Sequence, residues 1–130
     1  MKRAIQVLVT CLVISLPDTA IAANWVMFEA TGKRTLYADS TSITAPQNGV
    51  VKVWVKVDLS KDATVAPSTM IQHWEYMCAA HTTRVSSSVT YKADGTVIDS
   101  TTTQYAAFED IVPDSVAQTL EQDICPKNSN

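Results

Sequence analysis

The chain has 130 residues, 46% hydrophobic and 18% charged, with 10 basic and 13 acidic side chains. That length suits one domain with a modest core rather than two. A net charge of −3 with no Lys or Arg cluster argues against nucleic acid as the main partner.

The first segment sets the compartment. Lys2 and Arg3 form a basic start, Ala4 to Leu16 is mostly apolar, and "AIAA" at 20–23 places small residues in an A-x-A pattern. This predicts a cleaved secretory leader over 1–22 and a single exported domain over 23–130. An uncleaved anchor fits less well: the apolar stretch falls short of the roughly 20 residues a spanning helix needs, and Pro17 with Asp18 interrupts it. No later run is long enough to span a membrane. "LVTC" at 8–11 only half resembles a lipidation site, because Thr10 stands where a Gly, Ala or Ser belongs, so Cys11 is assigned to the discarded leader. The mature part then carries 8 basic and 12 acidic residues and two cysteines, Cys78 and Cys125. An even count in an export context predicts one disulfide. Two separated cysteines lack the paired spacing of a zinc site, so no metal site is expected.

Strand signals come next. "NWVMFEA" and "RTLYAD" read as a hairpin across Thr31-Gly32-Lys33. Asn48-Gly49 is a turn signal ahead of "VVKVWVKVDL" at 50–59, the clearest alternation in the chain. Val51, Val53, Val55, Val57 and Leu59 share one face there, and Lys52, Trp54, Lys56 and Asp58 the other. After a polar loop with Pro67, "MIQHWEYMC" at 70–78 alternates again, with Trp74, Tyr76 and Cys78 on one face and His73 opposite. A tight hairpin centred on Ala79-Ala80 would bring Glu75 across from Arg84 as an exposed pair. "HTTRVSSSVTYKADGTVIDSTTTQY" reads as a further hairpin turning at Asp94-Gly95.

The period then changes. Pro113 and Asp114 end the extended run, and Ser115 with Gln118 forms an S-x-x-Q capping box. Val116, Leu120 and Ile124 recur on one helical face, with Gln118, Glu121 and Gln122 largely outside. The expectation is an α+β fold: an antiparallel sheet of about six strands, with one C-terminal helix packed on it and stapled through Cys78 and Cys125.

The order of exported leader, early Trp, "LYADSTSI", "VKVWVKVD", a strand ending in Cys78, a Gly-turn hairpin, "IVPDS" and a helix closing on Cys125 resembles the surface-adhesin protein E-like family of Gram-negative bacterial envelope proteins. The resemblance spans nearly all of 23–130. It implies a sheet of antiparallel strands with one C-terminal helix, and adhesion to host extracellular-matrix proteins. Members often carry Trp a few residues before the helix start, where this chain has Phe108.

Residues for chemistry are sparse. No nucleophile elbow, phosphate-cradling glycine loop or H-E-x-x-H occurs, and the chain has three glycines in all. His73 and His81 have no acid or second ligand at useful spacing and read as exposed or structural. No catalytic, cofactor or metal residue is therefore assigned. One helix cannot cover both faces of a sheet, so the uncovered face is a partner or homodimer surface. Burial preferences favour Trp54 under the helix beside Trp74, with the valine row facing a second layer or subunit. The other arrangement exposes Lys52, Trp54 and Lys56 as a candidate binding surface. The expected function is a non-enzymatic exported binding module for a protein ligand; the alternative is a periplasmic structural or accessory protein that binds an envelope component.

Overall fold

The computed structural model describes residues 21–103 and 105–127. The expected leader, apart from its last two positions, and Cys11 lie outside them.

Six strands run as an antiparallel meander in sequence order: β1 (Trp25–Ala30), β2 (Thr35–Asp39), β3 (Val50–Asp58), β4 (Thr69–Met77), β5 (Thr82–Tyr91) and β6 (Val97–Thr102). A two-residue β7 (Glu109–Asp110) pairs with the start of β5, and α1 (Val116–Ile124) follows. Turn chemistry fixes the joints. Asn48 and Gly49 both take positive φ, 53° and 75°, and Gln47 and Val50 exchange both backbone hydrogen bonds around them, a two-residue hairpin turn entering β3. Gly95 at φ 85° closes the β5–β6 loop by donating to the Lys92 carbonyl at 3.0 Å.

The valine row of β3 is the core. Val51, Val53 and Val55 are at most 1% exposed and lie opposite Tyr76, Trp74 and Gln72 of β4, with Leu36 and Ala38 of β2 on the other side. α1 lies on this face: Leu120 is 1% exposed, and Val116 and Ile124 pack against the same cluster, so the four-residue stripe docks as its spacing predicts. The Tyr76 hydroxyl donates to the Ala117 carbonyl at 3.1 Å, which ties the central strand to the first turn of the helix. Cys78 and Cys125 form the disulfide, with Cα atoms 5.7 Å apart.

Several expectations are corrected in detail. Trp54 does not pack under the helix with Trp74: it lies opposite His73 on the other face, because the register sets Val53, not Trp54, against Trp74. The valines meet the helix rather than a second layer. The turn after β4 has four residues, a 3-10 turn (Cys78–Ala80) closed by His81 in the left-handed region at φ 52°, although Glu75 does face Arg84. The capping box is offset by one residue. Ser115 Oγ accepts from the Gln118 N–H, but the Gln118 side chain reaches back to the N–H of Asp114, which takes φ 59°. Glu121 is not outside; it is 9% exposed.

Candidate binding face

Because β3 alternates strictly, burying its valines under α1 obliges Lys52, Trp54 and Lys56 to project from the opposite face, which no helix among the described residues covers. Cross-strand register builds rows across that face. Tyr37, Lys56, Ile71 and Val89 form one, Trp54, His73 and Ser87 the next, and Lys52, Glu75 and Arg84 a third.

Each row has its own electrostatics. Lys56 Nζ sits 4.9 Å from the Trp25 ring centre and 4.7 Å from that of Tyr37, so two aromatic faces hold one ammonium. Trp54, 37% exposed, stacks on His73 with ring centres 4.7 Å apart. His73 Nδ1 is 2.9 Å from Ser86 Oγ, and burial lowers the His73 pKa, with Glu75 opposing and Lys52 reinforcing the shift. His73 is thus a half-buried packing partner of Trp54 rather than a freely solvated residue.

The third row is stronger than an exposed pair. Glu75 is 4% exposed, accepts a hydrogen bond from Arg84 Nε, and lies 3.4 Å from Lys52 Nζ. Burial alone raises the Glu75 pKa, but the Arg84 hydrogen bond and the charges of Arg84 and Lys52 outweigh it and hold the carboxyl below its usual range. Arg84 also donates to the Ala106 carbonyl at 3.0 Å and lies under the Phe108 ring at 4.3 Å. The Phe108 that replaces the expected Trp therefore caps this guanidinium.

On the helix side an open cleft of about 850 Å³ surrounds the disulfide, lined in part by His81, Gln118, Glu121, Asp123 and Lys127. His81 Nδ1 approaches Glu121 Oε1 to 2.8 Å, an acid that sequence spacing concealed because it arrives from a residue 40 positions away. His73 and His81 are not brought together: one lies on the open face and the other meets the helix. Among the described residues no group of three or more His, Cys, Asp or Glu side chains is placed to hold a metal ion.

Sequence reasoning found Lys52, Trp54 and Lys56 but missed Trp25, Tyr37, His73, Glu75 and Arg84 as parts of the same surface. The Asn-Gly turn announces where β3 begins, yet only the β2–β3 and β3–β4 registers reveal which aromatic meets which lysine.

A small antiparallel sheet covered on one face by a disulfide-tied helix, with a band of lysines and aromatic rings on the other, defines an α+β protein. The chain belongs to the surface-adhesin protein E family, whose model matches residues 25–126. No curated protein and no solved structure matches it. Membership suggests an exported or surface protein of adhesin-like, non-enzymatic character. No helix among the described residues is long and apolar enough to cross a membrane.

Proposed function

We propose that the protein is an exported, non-enzymatic adhesin-like module, cleaved after Ala22, that binds a protein ligand of the host extracellular matrix through Lys52, Trp54 and Lys56. The observation that carries this reading is the uncovered sheet face, where Trp54 is 37% exposed beside lysines that the valine row forces outward. A tryptophan held against His73 offers a large contact area at little entropic cost on binding. Family membership supports adhesion as the kind of task.

The test is capture of the oxidised mature protein by immobilised matrix proteins, compared with Trp54→Ala. The variant should lose binding by about tenfold or more, the range of a central aromatic contact, while keeping its melting temperature within a few degrees. Equal capture by both proteins would remove this face from the function. Retention of an envelope component instead of matrix protein would favour a periplasmic accessory role.

A further inference from the structure

We propose that two copies of this chain pair edge to edge through β1, forming one sheet that runs through both and sets their open faces side by side. The pairing goes beyond the binding reading above and does not depend on it.

β1 ends the sheet: it pairs with β2 on one side and with no described strand on the other. Its register fixes which backbone groups are left free. The Ser40 N–H donates to the Asn24 carbonyl at 3.0 Å, so Asn24 turns its backbone towards β2. Backbone direction alternates along an antiparallel strand. Val26 therefore also turns inwards, while the N–H and C=O groups of Trp25 and Met27 point out from the sheet edge. The side chains reinforce this. Val26 is 50% and Met27 58% exposed, and no charged residue lies between Asn24 and Phe28. An apolar edge with neither charge nor proline is a template for another strand. The bulge between Met27 and Glu29 comes after this stretch and ends it. The opposite edge is better guarded, because β6 carries Asp99 at its middle and a register shift near its start.

Self-complementarity selects a second copy as the occupant. About a two-fold axis at Val26, Trp25 of each copy lies opposite Met27 of the other, and each such pair exchanges both backbone hydrogen bonds. Every outward group of Trp25 and Met27 is then satisfied. Val26 faces Val26 of the second copy at the closely spaced position, and the Met27 thioether lies beside Trp25. An axis at Trp25 would instead set Met27 against Ala23 and Val26 against Asn24, covering less apolar surface. Charges agree with the first register. Lys56 stands on β3, with β2 and β1 between it and the axis, so like charges are not opposed. With residues 1–22 removed, the amino group of Ala23 comes alongside Glu29 of the second copy, opposite in sign.

The register also fixes orientation. Directly opposite residues share a face, so the axis is normal to the sheet and both open faces look the same way, with both helices behind. A ligand that repeats along a surface then meets two Trp54 faces at once, which raises avidity without any new contact.

The test is sedimentation velocity on the oxidised protein starting at Ala23, over a concentration series reaching about 1 mM because so small a patch pairs weakly. The average mass should rise from monomer towards dimer, and the Trp25 and Met27 amides should gain protection from hydrogen exchange along the same series. Val26→Lys and Val26→Asp should each weaken pairing at least tenfold by opposing like charges across the axis. An equimolar mixture of the two should restore the dimer, which a substitution that merely damaged β1 would not allow; melting temperature and the intact disulfide check each fold. A monomer at every concentration, a dimer that both substitutions leave intact, a mixture no more dimeric than its components, or protection gained along β6 instead would overturn the pairing.

Discussion

At the scale of single residues, Tyr76 ties the helix to the sheet and Glu75 ties three strands together on the opposite face. Tyr76 is fully buried in the core, and burial pushes its phenol pKa far above the ordinary range, so it stays a neutral donor to the Ala117 carbonyl. Tyr76→Phe keeps the ring but leaves that carbonyl without its donor; unfolding free energy should fall by about 1 kcal/mol, measured by urea denaturation. Glu75 gives the fold an acid dependence. Its folded pKa is lowered, so its contribution is complete above the ordinary value of 4.5 and is lost as pH falls through the folded value. His73 is lowered too, which makes its neutral form the one the fold prefers. Stability from His73 is present above 6.5 and declines as pH drops towards its folded value. Melting temperature should therefore decline in two stages on acidification. His73→Gln should flatten the stage that begins near 6.5, and Glu75→Gln the stage below 4.5. Arg84→Met, by leaving Glu75 buried without its main partner, should cost about 3 kcal/mol.

At the scale of elements, the helix is the piece most dependent on its covalent tie. α1 has nine residues, too few to be stable alone in water, so docking and the disulfide together hold it. The bridge joins residues 47 apart, and closing a loop of that length restricts the denatured chain by about 4 kcal/mol in the chain-entropy model. Cys78→Ser and Cys125→Ser should each lower the melting temperature by the same amount, and the double variant should add little, because either change breaks the one bond. Hydrogen exchange after reduction should show α1 amides losing protection before those of β3 and β4. Simultaneous loss of protection in strands and helix would mean that the sheet needs the helix to exist.

At the scale of the whole molecule, the question is where the open face meets its partner. Export with removal of residues 1–22 should give a mature protein beginning at Ala23 and carrying no lipid, which intact mass of the exported protein checks. Display at the cell surface should leave the protein cleavable by protease added to intact cells; protection until the outer membrane is opened would rule out host adhesion and favour an envelope partner. Both measurements are independent of the binding face, so they separate address from recognition.

The sequence by itself determined most of the elements and how their side chains divide between two faces. Strict alternation in β3 sorts valines from lysines whatever the neighbours are, Asn48-Gly49 permits a two-residue turn, and a four-residue apolar period ending at Ile124, just before Cys125, fits one docked helix. These signals are local, carried by side-chain period and backbone conformation within a few residues. The tertiary structure alone decided which face the helix covers, and with it the fate of Trp54. Trp54 gives the otherwise charged face of β3 one large apolar side chain that competes for burial, and its place depended on cross-strand register: Leu36, Ala38, Trp74 and Tyr76 align with the valines, while Tyr37, His73 and Glu75 align with the lysines and Trp54. β7 was invisible for the same kind of reason, since Glu109-Asp110 has no strand character of its own and becomes a strand only where Thr82 and Thr83 offer a free edge. Glu121 reads as a solvent-facing helix residue until His81, 40 positions earlier, turns towards it. Interactions between residues distant in sequence leave no periodic trace, because their partners are set by how whole elements pack rather than by spacing along the chain.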